Sequence, residues 1–111
     1  MATLYNLTKI AGDSESIVMT VVDETGAAVD LTGATIEYVI KTDVRALTNL
    51  LLLTSATTAI TILLDTATIT VAPANTINLA GQYYHECEIT LVDGRVYTAF
   101  FGTLTINPSG V

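Results

Sequence analysis

His85 is the chain's single imidazole, so any histidine chemistry rests on it, and the lone cysteine, Cys87, follows two residues later. On a β-strand, residues i and i+2 share a face, which gives the pair the order of a nucleophile beside its base. Such neighbours stand about 7 Å apart, too far for direct proton transfer. The pair therefore reads as a core or rim histidine next to a small buried thiol. Glu86 and Glu88 fall on the other face, with Glu37 as a candidate neighbour across the sheet. Paired carboxylates can cleave glycosides, but only in a cleft where one carries a raised pKa. On a solvated strand face they are ordinary polar residues. Asp13, Glu15, Asp23, Glu24 and Asp30 could gather at one end of a domain, yet their spacing matches no calcium loop. A solitary cysteine leaves no intrachain disulfide and no cysteine-based zinc site. No phosphate loop, nucleophile elbow or HExxH helix is present. The expectation is a protein without catalytic residues, metal or cofactor.

The elements that carry these residues are those of a β protein. Of 111 residues, forty are threonine, isoleucine or valine, and half are hydrophobic. β-branched side chains favour strands and lose rotamer freedom in helices. At this length folding hides roughly 65% of the chain's surface, enough for a core without staples. Charged residues make up only 14% and the mean hydropathy is +0.56, which excludes disorder. The 46–64 stretch is uncharged, but its threonines, serine and asparagine interrupt it before the roughly 20 apolar residues of a membrane span are reached. The first twelve residues lack the basic start and apolar stretch of a secretory signal, and Asn6-Leu7-Thr8 accordingly reads as a chance glycosylation match. A net charge of −7, with Lys9, Lys41, Arg45 and Arg95 scattered singly, argues against nucleic-acid binding.

Alternation and turn residues divide the chain into about seven strands. The clearest hairpin runs from Gln82 to Ile106. Tyr83, His85, Cys87, Ile89 and Leu91 line one face of its first arm, and Asp93-Gly94 supplies a type I′ turn. In the return arm Val96, Thr98, Phe100, Gly102, Leu104 and Ile106 share a face; Tyr97, Ala99, Phe101, Thr103 and Thr105 take the other. Further strands are expected over 16–22, over 34–42 with Ile36, Tyr38 and Ile40 inward, and over 59–64 and 68–71. Turns fall at Asp23 to Gly26 and Asp30 to Gly33. Pro73 to Leu79 suits a turn or a short helical piece. The 44–53 segment fits a strand, a loop or a short helix equally well. The pattern is an all-β, single Ig-like antiparallel sandwich spanning 1–111, with 1–12 an edge strand or a docking arm and 107–111 a tail.

Tyr84, Tyr97 and Phe101 fall by this alternation on faces opposite the core. With Leu50, Leu51, Leu52 and Leu53 they form the candidate protein–protein interface, since aromatics are enriched where proteins meet and apolar surface marks partners.

A set of motifs carries a family likeness. Gly12-Asp13 is followed by Val21-Val22-Asp23-Glu24-Thr25-Gly26 and by Val29-Asp30-Leu31-Thr32-Gly33-Ala34-Thr35-Ile36. Later come Gly81-Gln82-Tyr83-Tyr84 with Glu86, then Asp93-Gly94-Arg95-Val96-Tyr97-Thr98 and Gly102 to Ile106. Over 12–106 this order resembles the Ig-like virion structural domains of tailed bacteriophages and is similar to the N-terminal domain of baseplate upper proteins. Leu79 to Tyr83 also resembles a tyrosine corner. The leucine-rich 48–54 stretch is longer and more apolar than the family's pattern. The sequence also ends after one domain where baseplate adaptors continue, which implies an accessory rather than an adhesin. The resemblance implies a non-enzymatic protein that folds in the host cytoplasm and assembles on the virion, with other virion proteins and copies of itself as partners. It implies the tail or baseplate first and capsid decoration as the alternative. A carbohydrate-binding Ig-like module is the rival reading; it would need Tyr84, Tyr97 and Phe101 as an aromatic platform.

Overall fold

The strong β-propensity resolves into two sheets in a computed structural model that describes residues 3–108. The larger sheet is built on the predicted hairpin, β8 (Gly81–Thr90) and β9 (Val96–Asn107). Beside β8 lies β4 (Thr35–Lys41), and β5 (Leu51–Thr54) closes that side. On the far side of β9 run two short strands, β1 (Thr3–Leu4) and β2 (Leu7–Ile10), both parallel to it. The smaller sheet has the order β3 (Glu15–Thr20), β7 (Thr66–Val71), β6 (Ile60–Leu63). The fold is thus an all-β, Ig-like sandwich with mainly antiparallel strands. Among the described residues nine strands replace the expected seven, because the N-terminal strand breaks at Tyr5-Asn6 and because β5 forms where the 44–53 segment was ambiguous. Residues 3–10 accordingly take the edge-strand form, while Met1, Ala2 and the tail residues 109–111 lie outside the described residues.

One apolar cluster fills the space between the sheets. Ile17 and Ile69 from the smaller sheet meet Ile36, Tyr38, Ile40, Ile89, Phe100 and Leu104 from the larger. Burying each such side chain contributes about 1.5–3 kcal/mol. The threonines mostly face out: Thr20, Thr61, Thr66, Thr68 and Thr70 lie on the outer face of the smaller sheet. That placement accounts for a composition dominated by β-branched residues without a matching apolar surface.

Three local details sharpen the expected elements. The short helix α1 (Pro73–Thr76) forms where proline suited a first turn. Tyr83 makes the corner: its hydroxyl donates to the Ala80 carbonyl at 2.9 Å and accepts from the Ala80 amide at 3.0 Å. The turn after β8 is not type I′. Gly94 alone is left-handed, at φ 93°, with its amide on the Leu91 carbonyl and the Leu91 amide on the Arg95 carbonyl. This is a three-residue loop in which a type I turn is followed by a left-handed glycine. Asp93 favours it, because its carboxylate accepts from the Arg95 amide and pairs with the Arg95 guanidinium.

Candidate interaction surface

A β-bulge decides which aromatics reach the outside. Cys87 pairs with Phe100 but Glu88 with Thr98, so Ala99 is an extra residue in β9. A bulge inverts the alternation on one side of itself. Tyr97 therefore pairs with Ile89 and packs against the core, contrary to its expected outward position. Phe101 lies beyond the bulge and keeps its outward position opposite Glu86, and Tyr84 lies outward opposite Thr103. The three aromatics thus do not make one platform. The leucines divide in the same way. Leu51 and Leu53 pair with Ile40 and Tyr38 and turn inward, whereas Leu52, opposite Val39, and Leu50 are exposed.

Tyr84 and Phe101 converge instead with two residues that alternation did not single out. Leu4 on β1 and Val44 in the loop after β4 join them around a shallow open depression on the outer face of the larger sheet. Leu4 is 63% exposed and Val44 61% exposed, so this apolar surface is open to water. Leu4 reaches the site because β1 pairs with β9 through Leu4 and Phe101. No local sequence pattern signals a parallel pairing between residues so far apart in the chain.

The same face is acidic next to the depression. Glu37, Glu86 and Glu88 surround Val39, with Lys41 as the nearby cation. Glu37 and Glu88 sit directly opposite each other on β4 and β8, and like charges in such a pair destabilise a sheet. The Tyr84 hydroxyl donates to the Glu86 carboxylate; partial burial, helped by that bond, pushes the Tyr84 pKa up to about 12. Among the described residues, no three His, Cys, Asp or Glu side chains are grouped to hold a metal ion.

The candidate nucleophile pair is occupied otherwise. His85 is fully buried between Tyr38, Phe100 and Tyr5. Its Nε2 lies 2.7 Å from the Tyr5 carbonyl, which can only accept, so Nε2 carries the proton. Nδ1 is then the acceptor for the Tyr38 hydroxyl at 2.9 Å. Burial lowers the His85 pKa, the bond to Tyr5 opposing it, and the ring is held neutral. Both nitrogens being engaged, neither serves Cys87. Burial pushes that thiol up to about 12, with Glu86 and Glu88 adding to the shift. Its sulfur lies 3.9 Å from the Met19 sulfur. In antibody domains the residue two after the corner tyrosine is a cysteine of the inter-sheet disulfide. Here it is His85, whose hydrogen bonds to Tyr38 and Tyr5 run within the larger sheet rather than across to the smaller one.

A second buried polar group escaped the sequence reading. Lys9 is 6% exposed, and its ammonium donates to the Thr76 hydroxyl at 2.7 Å and to the Asp13 carbonyl at 2.8 Å. Desolvation lowers its pKa against the opposing pull of Glu15 and Asp13.

Among the described residues, no helix is long and apolar enough to cross a membrane. The sequence matches no protein-family model and no curated protein.

Proposed function

We propose that this chain is a non-enzymatic structural protein of a tailed-bacteriophage virion, an accessory of the tail or baseplate that docks through the outer face of its larger sheet. The observation that carries the reading is the open apolar depression formed by Leu4, Val44, Tyr84 and Phe101. An aromatic and aliphatic anchor site beside charged residues is the anatomy of an interface core and its rim. The like-charged Glu37–Glu88 pair supports it further, since a lysine or arginine from a partner would relieve the repulsion. The partner's matching surface is accordingly apolar with a basic flank. The motif order over 12–106 supplies the virion context.

The role is tested by mixing the purified chain with virus particles and sedimenting them. Wild type is expected to travel with the particles, more weakly as salt rises. Phe101→Glu, which puts a fourth carboxylate on this face, is expected to remain in the supernatant while keeping its fold by circular dichroism. Equal sedimentation of wild type and variant would overturn the docking face.

A further inference from the structure

Besides its parallel ladder with β9 and the Lys9–Thr76 bond, the N-terminal strand is tied to the body at its break. At its break the Tyr5 amide donates to the Phe101 carbonyl at 2.8 Å, and the Tyr5 carbonyl accepts from His85 at 2.7 Å. The Asn6 side chain accepts from the Thr103 amide at 2.9 Å. Gly102 makes room for this approach: a Cβ there would lie 2.3 Å from the Tyr5 carbonyl oxygen and 2.7 Å from the Asn6 side-chain oxygen. The slot along β9 is therefore open at Gly102 to the close approach that the Tyr5-Asn6 backbone makes. The strand itself sits at a sheet edge, and Leu4, Asn6, Thr8 and Ile10 face solvent. A turn at Gly12, whose φ is 81°, connects it to β3. Strands at a sheet edge with alternate side chains in solvent are among the parts of a fold that open first.

Two titratable groups hold this strand, Lys9 through Thr76 and His85 through the Tyr5 carbonyl; Lys9 already bonds as an ammonium, so only His85 has a proton to gain in mild acid. The groups packed around it are the Tyr38 hydroxyl from β4, the Tyr5 ring and carbonyl, and Phe100 from β9; on its own strand the nearest titratable group of the same face is Cys87, two residues on. Among the carboxylates, Glu86 lies on the opposite face of β8, and Glu15 on β3 bears on Tyr38 rather than on the ring. A proton on Nδ1 would turn the Tyr38 hydroxyl from donor to acceptor and cost its own proton this partner, and the new charge would have no hydrogen-bonded carboxylate. The central strands cannot move to hydrate that charge. The N-terminal strand can, because it covers Nε2 from the edge.

We propose that residues 3–10 are an exchangeable strand: proton uptake by His85 frees them from the slot along β9, and the slot then accepts the same strand from a second copy of the chain. The occupant follows from the slot's shape at Gly102 and from charge. The strand's one charged residue is Lys9, which sits beside Asp13 and Glu15 in a chain whose net charge is −7 even with Lys9 counted. Exchange of an identical element is a low-cost route to association. This inference goes beyond docking through the outer face and is tested without particles.

Hydrogen exchange, corrected for the intrinsic rate at each pH, is followed at the Tyr5 and Ile89 amides of the full chain. A fluorescent synthetic peptide of residues 3–11 is added in parallel at about pH 5 and about pH 7.5 and separated by gel filtration. One proton taken up per opening lowers Tyr5 protection about tenfold per pH unit below about 6.5. Ile89 protection, which follows global unfolding, should stay well above that of Tyr5 at every pH, and the peptide should co-elute only at the lower pH. His85→Gln preserves a donor for Tyr5 and an acceptor for Tyr38 without titrating, so its strand should stay protected and peptide-free at both pH values. Gly102→Ala should lose both the strand's protection and peptide uptake. Wild type decides alone if a variant fails to fold. Tyr5 protection independent of pH, Tyr5 and Ile89 protection equal at every pH, or release without peptide uptake would each overturn the proposal.

Discussion

Replacing Tyr38 by Phe removes a single oxygen from the centre of the sandwich. Tyr38 is fully buried, and its hydroxyl donates to His85 Nδ1 at 2.9 Å. The ring's other nitrogen is committed to the Tyr5 carbonyl at 2.7 Å. In the variant the imidazole must leave Nδ1 without a donor or, by switching tautomer, leave the Tyr5 carbonyl without one. Either arrangement strands one buried acceptor, at a cost of about 1–3 kcal/mol. The aromatic packing against His85 and Phe100 is retained, so little cavity cost is added. Taking about 2 kcal/mol, a domain of this size should lose about 10 °C in Tm. Urea unfolding at about pH 8, where the histidine is neutral in both states, measures the loss directly. A loss under about 0.5 kcal/mol would refute the buried network as a contributor to stability.

Acid weakens the fold through the same residue. Burial holds the His85 pKa below its ordinary value of about 6.5, so the folded state prefers the neutral ring. Stability is complete above about pH 6.5 and falls as the pH drops below it, by at most about 1.4 kcal/mol per unit, whereas His85→Gln should be flat over that window. Thr76→Val removes the acceptor shared by the Lys9 ammonium and the Gly12 amide, and urea titration should show a loss of about 1–3 kcal/mol. Adding Lys9→Met in the same chain should recover part of that loss, a coupling that a double-mutant cycle reads out.

The larger sheet was legible because its determinants are local. Tyr83, His85, Cys87 and Ile89 alternate over a long strand, and Ile36, Tyr38 and Ile40 do so on β4, so faces could be assigned by parity. Parity failed at Tyr97, where Ala99 forms a bulge that nothing in the alternation announces. It was silent over 50–53, whose leucines suit both strand faces until pairing with Tyr38 and Ile40 chooses between them. The depression was half legible. Tyr84 and Phe101 follow from alternation, but Leu4 arrives by a parallel pairing across the whole chain and Val44 from an irregular loop. His85 was legible as a core histidine but its partners were not, and Lys9 was missed for the same reason. Their partners, Tyr5 and Thr76, are 80 and 67 residues distant, and only the tertiary fold brings them together.

Quantitative mass spectrometry of density-gradient-purified virions tests the docking role most directly. A fixed copy number per particle for wild type, and its loss for Phe101→Glu, is the predicted result. Recovery of the wild-type chain only in the particle-free fractions would contradict it.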